Sequence, residues 1–248
     1  MTTDVHLRTT GLTRRFGAFT ALDGVDFTVS RNELRGIIGP NGAGKTTFFD
    51  LVSGLRRPSD GKIWFEGTDI TGMPAHQISR RGISRTLQIA SAFPSLTVLE
   101  NVMGAVNGTK HLLSPVRRYR TEEAVRGRAR SILDRVGLSD VSDRPVGELS
   151  HGDARVLELA LALSSDPDLL LLDEPTAGLA TGEIHMVTDL IADLAGDVTV
   201  LLVEHNMDVV MDVADRLTVF TNGRILAEGT PEAIRGDDRV RDVYFGRA

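Results

Sequence analysis

Nine consecutive residues, Gly39-Pro40-Asn41-Gly42-Ala43-Gly44-Lys45-Thr46-Thr47, combine glycine turns, one lysine and two hydroxyls. They lie between an apolar segment, Gly36-Ile37-Ile38, and a helix-like one, Phe48-Phe49-Asp50-Leu51-Val52. Such a run curls its backbone so that successive N–H groups and a helix N-terminus face one anion. Lys45 then reaches the β- and γ-phosphates of a nucleoside triphosphate and Thr46 can hold Mg²⁺. The strand-loop-helix context separates this P-loop from an ordinary glycine-rich turn. Further on, Leu169-Leu170-Leu171-Leu172 runs into Asp173-Glu174, placing two carboxylates at the C-terminal end of a buried strand, where ligands of open α/β sheets gather. This reads as a Walker B segment, with Asp173 holding Mg²⁺ through water and Glu174 orienting and deprotonating an attacking water. An acidic helix start after a core strand has the same composition, and the P-loop upstream favours the catalytic reading.

Positioning these groups requires a sheet and helices, and the sequence supplies both rhythms. Val5-His6-Leu7-Arg8 and Val25-Asp26-Phe27-Thr28-Val29 alternate as antiparallel strands ahead of the P-loop. Residues 61–67 and 82–87 read as two further strands. Helical spacing then takes over at Glu122 to Val136 (Val125, Ala129, Ile132, Leu133, Val136) and at Arg155 to Leu163. The Leu169–Leu172 and Thr199–Val203 runs match buried parallel strands, with a helix from Glu183 to Leu194 between them. Leu217–Phe220 and Arg224–Ala227 meet at the turn Thr221-Asn222-Gly223. The organisation is a nucleotide-binding α/β core interrupted by a helical insertion, without an internal repeat.

Composition bounds the function. With 248 residues and 41% hydrophobic content the chain can bury a full core. A net charge of −6 and a pI near 5.5 give no global attraction to nucleic acid, so none is expected as a partner. There is no cysteine, hence no disulfide framework and no thiolate metal site. No apolar stretch approaches the roughly 20 residues of a membrane-spanning helix, and Met1-Thr2-Thr3-Asp4 lacks the pattern of a signal peptide, so a cytoplasmic location is expected. Only Lys45, Lys62 and Lys110 among the 28 basic residues are lysine. A lysine at position 45 is therefore informative, because a guanidinium is no equivalent replacement inside a loop of backbone donors.

Leu149-Ser150-His151-Gly152-Asp153, shortly before Asp173-Glu174, resembles the signature motif of the ATP-binding cassette family, whose usual form is Leu-Ser-Gly-Gly-Gln. The order of P-loop, Gln88, signature, Asp173-Glu174 and His205 in Val203-Glu204-His205-Asn206-Met207 extends that resemblance over nearly the whole chain. It implies an α/β P-loop ATPase domain spanning residues 1–248, with a RecA-like core, an antiparallel β-subdomain and a helical subdomain near 89–154. It further implies ATP and Mg²⁺ as cofactors and a head-to-tail pair of cassettes, each ATP lying between the P-loop of one and the signature helix of the other. Ser150 and the Gly152 backbone would then act on the partner's γ-phosphate. Gln88 matches the Q-loop glutamine that contacts Mg²⁺ and water, His205 the switch histidine that donates to the γ-phosphate, and Phe16 the aromatic residue that stacks on adenine, with Phe19 close enough to compete. Three positions depart from the family form. His151 and Asp153 stand where the signature has glycine and glutamine, Asp153 putting an acceptor-only carboxylate near the nucleotide, and Ala180 follows Gly178-Leu179 where an aspartate or asparagine is usual.

Ser84–Gln88, Phe93-Pro94-Ser95-Leu96-Thr97-Val98-Leu99-Glu100-Asn101-Val102 and the ending from Gly229 to Gly246 resemble ATP-binding subunits of branched-chain amino-acid importers, with urea and amide importers close behind. That branch implies two hydrophobic permease subunits, a second ATP-binding subunit and, indirectly, an extracytoplasmic solute-binding protein, with this chain at the cytoplasmic face of the membrane. A permease helix is expected to dock along Ile89 to Leu99. Arg117-Arg118-Tyr119-Arg120 is a basic patch suited to lipid head groups or to a solvated loop. A lipopolysaccharide-export ATPase and a soluble cassette acting on ribosomes or DNA are the alternatives; the latter usually carries paired cassettes or a long coiled coil, and sustained heptads are absent here.

Overall fold

A computed structural model describes residues 5–86, 92–107 and 115–245, the side chains of 107–121, 244 and 245 apart. Along the chain run β1 (Val5–Phe16), β2 (Phe19–Ser30), β3 (Leu34–Ile38), α1 (Lys45–Val52), β4 (Asp60–Phe65), β5 (Thr68–Asp69), α2 (Ala75–Ser79) and β6 (Ile83–Arg85). Three helices follow, α3 (Val98–Asn107), α4 (Pro115–Val136) and α5 (His151–Leu163). The chain then returns to strands with β7 (Leu169–Asp173), α6 (Thr181–Ala195), β8 (Thr199–Val203), α7 (Met207–Val213), β9 (Arg216–Thr221), β10 (Arg224–Gly229), α8 (Pro231–Arg235) and α9 (Asp238–Phe245). The described residues fall into two compact units, one within Met1–Ile83, Asp168–Glu174 and Ile191–Ala248, the other within Ser84–Pro167 and Pro175–Leu190.

The first unit contains two sheets. One is antiparallel in the order β2-β1-β4-β5. The other has the order β10-β9-β3-β8-β7-β6, its last strand carrying the chain out of the unit. Within it β3 runs parallel to β8 and β9, and β7 parallel to β8. All five residues of β3 and of β8 are buried, which is why they read as unbroken apolar runs rather than as alternation. Phe48 of α1 packs against Phe27 of β2 and Phe220 of β9, with ring centroids 5.1 and 5.5 Å apart, so α1 is held between the two sheets. β1 and β2 are each 12 residues long, longer than their alternating segments indicate. Register shifts at Val5/Leu7, Thr9/Leu12, Leu12/Arg14 and Arg14/Arg15 interrupt the period of two that marks a strand in sequence.

Near its start, β3 also carries a buried cation. The Arg35 guanidinium donates to Glu33 Oε1 at 2.6 Å, Glu228 Oε1 at 2.9 Å and Thr218 Oγ1 at 3.0 Å. Thr218 donates in turn to Glu228 Oε1 at 2.8 Å, and Glu33 Oε2 accepts the Ser30 N–H at 2.9 Å. The network joins β3, β9 and β10, and a buried ion pair of this kind is tolerated because its polar atoms are satisfied.

In the second unit, Thr97 and Glu100 form a capping box at the start of α3: the Thr97 N–H donates to Glu100 Oε2 at 2.8 Å and the Glu100 N–H to Thr97 Oγ1 at 3.1 Å. Asn101, buried one residue later, accepts the Phe93 N–H at 2.7 Å and donates to the carbonyls of Phe93 (3.1 Å) and Thr97 (2.9 Å). One amide therefore shapes the turn from Phe93 to Thr97. Replacing it by leucine leaves those backbone groups without partners, and Asn101→Leu is expected to cost about 2 kcal/mol, read as a thermal midpoint about 4–8 °C lower; an unchanged midpoint would show that the amide is dispensable. α4 begins seven residues before the apolar spacing that marks it, at Pro115, a residue suited to a helix start. Its buried positions Val125, Ala129, Leu133 and Val136 belong to the face read from the sequence, and Ile132 is half-buried.

Candidate functional site

β3 ends at Ile38, and the next residues turn sharply into α1. Gly39 has φ 151° and Gly44 φ 106°. A Cβ at Gly39 would fall 2.2 Å from the Phe220 carbonyl oxygen and one at Gly44 2.7 Å from that of Ala21, so both positions require glycine. The Ala43 N–H donates to Pro40 O at 3.1 Å, the Gly223 N–H to Ala43 O at 3.0 Å and the Asp23 N–H to Gly223 O at 2.9 Å. These bonds fasten the loop to the β9–β10 turn, where Asn222 (φ 48°) and Gly223 (φ 75°) adopt the left-handed backbone expected of that hairpin.

The loop is built to receive an anion. The first N–H groups of α1, from Lys45, Thr46 and Thr47, have no acceptor inside the helix, no side chain caps it, and its first turn carries no acidic residue. Lys45 is only 6% exposed, and its ammonium donates to the carbonyls of Gly39 (2.6 Å) and Pro40 (3.2 Å). Burial pushes the Lys45 pKa down, while the charges of Glu174 and Asp173 act to raise it. A cavity of about 220 Å³ opens above these groups, lined by Phe19, Ala21, Asn41 to Thr47, Glu174 and His205, all in the first unit. An uncapped helix start plus a buried cation fits a polyphosphate, whose charge would complete both.

At the end of β7 the chain leaves the sheet through Glu174, whose N–H donates to Val203 O at 2.8 Å and whose φ is 51°. Five non-glycine residues among those described have positive φ, and of these only Glu174 lines the cavity. Glu174 Oε1 accepts from His205 Nε2 at 2.7 Å, both side chains being partly exposed. His205 follows β8 and precedes α7, which Asn206 caps through the Asp208 N–H at 3.1 Å. The structure thus brings together the P-loop, Glu174 and His205, and places Asp173 at the last position of β7, paired with Val203 of β8. A hydroxyl (Thr46) and a carboxylate (Asp173) are hard oxygen donors of the type Mg²⁺ takes one or two at a time, with phosphate oxygens and water completing its shell.

Other candidates lie differently. Phe19, 62% exposed, lines the cavity; Phe16 is not among the lining residues, and its ring contacts the guanidiniums of Arg14 (4.6 Å) and Arg56 (5.4 Å). Ser150, Gly152 and Asp153 belong to the second unit. Ser150 caps α5, its Oγ accepting the Asp153 N–H at 3.0 Å. The Gly152 N–H donates to Glu183 Oε1 at 3.0 Å. Gln88 lies outside the described residues, as do Ile89 to Ser91 and the side chains of Arg117 to Arg120. A second cavity, of about 390 Å³, is lined within the second unit by Phe93 and Leu96, both exposed, and by Glu100, Glu158, Leu161 and Ala162 among others. Asn101 and Glu183 are positioning groups that the sequence reading passes over. Their signals are faint: a Thr-x-x-Glu pair just before Asn101, and an acid three residues after Ala180 at the start of an apolar helical run.

A parallel sheet that offers a phosphate loop from one strand, a carboxylate from another and a histidine from the strand between makes this chain a nucleotide-binding ATPase of the P-loop class. The model of the family described as ABC transporter matches residues 22–177, and that described as Branched-chain amino acid ATP-binding cassette transporter matches residues 224–248. The chain belongs to the ABC transporter family. It is 39% identical over 250 residues to the high-affinity branched-chain amino acid transport ATP-binding protein BraF of Pseudomonas aeruginosa, covering 98% of each chain. It is 38% identical over 253 residues to the corresponding protein LivG of Escherichia coli, again covering 98% of each. Among solved structures, the ADP conformation of an ATP-binding cassette of an ABC transporter superposes with a TM-score of 0.87 at 34% identity, covering 98% of this chain and 99% of that one. A nucleotide-free ATP-binding cassette matches with a TM-score of 0.85 at 33% identity, covering 98% and 100%.

Proposed function

We propose that this chain is the ATP-hydrolysing subunit of an importer for branched-chain amino acids, acting at the cytoplasmic face of the membrane as one of a head-to-tail pair of cassettes. The observation that carries the chemistry is Glu174, held in left-handed backbone at the end of β7 and bonded to His205 at the edge of the phosphate cavity. Lys45 and the first N–H groups of α1 bind the phosphates, and Phe19 or Phe16 takes the adenine. Thr46, Asp173 and Gln88 would hold Mg²⁺, which when bound supplies positive charge against the β- and γ-phosphate oxygens. Glu174 accepts the proton of the attacking water, and His205 donates to the γ-phosphate once its bond to Glu174 opens. Ser150 and the Gly152 N–H close the site from the second cassette.

The transport assignment is supported by the family match at 224–248 and by relatives of the same length named for branched-chain amino acid transport. Among the described residues no helix is long and apolar enough to cross a membrane, so two permease subunits would supply the path and a solute-binding protein the substrate. The exposed Phe93 and Leu96 fit the docking of a permease helix. Affinity purification from gently solubilised membranes of the native host is expected to recover two polytopic subunits and a solute-binding protein with affinity for leucine, isoleucine or valine. Recovery with ribosomes or DNA in a membrane-free fraction would leave the ATPase chemistry standing and remove the transport reading.

A further inference from the structure

The start of α5 already carries an anion. Glu183, at the third position of α6, spreads its carboxylate between two backbone donors: Oε1 accepts the Gly152 N–H and Oε2 the Ala180 N–H, each at 3.0 Å. All three residues belong to the second unit. The contact depends on glycine, because a Cβ at position 152 would lie 2.9 Å from Oε1 and 3.1 Å from Cγ of Glu183. Bonds from the Ala180 and Gly152 N–H groups, together with the neighbouring His151, hold the Glu183 carboxyl below the usual carboxylate range, so it is charged at neutral pH. The next two N–H groups of the helix are also engaged, that of Asp153 with Ser150 Oγ at 3.0 Å and that of Ala154 with Ser150 O at 3.0 Å.

We propose that Glu183 is a positioning residue that holds the Gly152 N–H in the separate cassette and yields it to the γ-phosphate bound on a second cassette. The inference rests on the head-to-tail reading given under Proposed function. One N–H makes one strong hydrogen bond, and a carboxylate and a phosphate oxygen facing the same helix start repel each other. The two anions therefore exchange rather than share. Ala180 makes the exchange cheap in structural terms: Glu183 Oε2 stays on the Ala180 N–H as the acceptor half of a capping box, so α6 keeps its start while Oε1 swings away. Alanine at 180 has no side chain with which to cap α6, which leaves that bond to Glu183 alone among the described side-chain contacts.

The sign of the effect tests it. In a Glu174→Gln background, which retards hydrolysis, the ATP concentration giving half-maximal dimer is measured by sedimentation with Mg²⁺-ATP. Glu183→Gln retains size but offers a neutral, weaker competitor, and Glu183→Asp retains charge but falls one methylene short of Gly152. Both are expected to lower the half-maximal ATP concentration about tenfold, while ATP affinity of the single cassette, set by the phosphate loop of the first unit, stays unchanged. A group that only braces the fold would shift the midpoint upward, and an unchanged or raised midpoint in both variants overturns the proposal. If the Glu174→Gln protein alone forms no ATP-dependent dimer, the head-to-tail reading itself falls, and the Glu183 proposal with it.

Discussion

Glu174→Gln should slow ATP turnover by about a thousandfold, the middle of the range for losing a positioned general base, while leaving ATP binding intact. The amide keeps the size of the carboxylate and can still bond to His205, so the geometry at the end of β7 survives. What disappears is an acceptor for the proton of the attacking water. Binding without hydrolysis should then accumulate ATP-bound dimer, seen as a heavier sedimenting species that wild type shows only transiently. Phosphate release measured on both proteins gives the rate ratio, and equal turnover would remove Glu174 from the catalytic role.

Lys45→Ala should abolish useful nucleotide binding, weakening ATP affinity about a thousandfold through loss of charge-assisted bonds to two phosphates. The same substitution should leave the nucleotide-free protein about as stable, and this contrast makes the test sharp. The ammonium is buried with its pKa pushed down by desolvation, so its charge is held at some expense until phosphate arrives. Calorimetric titration with ATP reads the affinity, and thermal unfolding with and without ATP reads the ligand-dependent stabilisation, which should vanish in the variant. Lys45→Arg should fail nearly as badly. A planar fork does not match the pair of carbonyls, Gly39 O and Pro40 O, that seat the lysine nitrogen. Retained ATP affinity in the alanine variant would mean that backbone donors alone bind the phosphates.

Local chemistry was readable from the chain, and contacts made across long sequence separations were not. The phosphate loop is a contiguous run whose residue types state their own purpose, and the buried β3, β7 and β8 announce themselves as apolar strings because both faces are covered. The family resemblance and its branched-chain form are borne out by relatives matched along nearly the whole chain. The extent of β1 and β2 was hidden by bulges that break alternation. Phe16 and Phe19 are three residues apart and chemically identical, so only the hairpin that pairs them decides which reaches the cavity. Glu183 meets Gly152 across 31 residues, and nothing local in either segment names the other.

The backbone at Glu174 has an evolutionary corollary. A side chain at φ 51° sits in a region that glycine enters freely and other residues enter at a cost of about 1–3 kcal/mol. The residue proposed as the general base is thus also a point of conformational tension, and on that proposal the mutation that relaxes it is one expected to end hydrolysis. In a duplicated copy needed only to bind nucleotide, selection for stability and drift would push the same way, toward glycine or asparagine at 174. A cassette paired with such a copy would keep two nucleotide sites and one engine, so loss of symmetry in this architecture lies downhill.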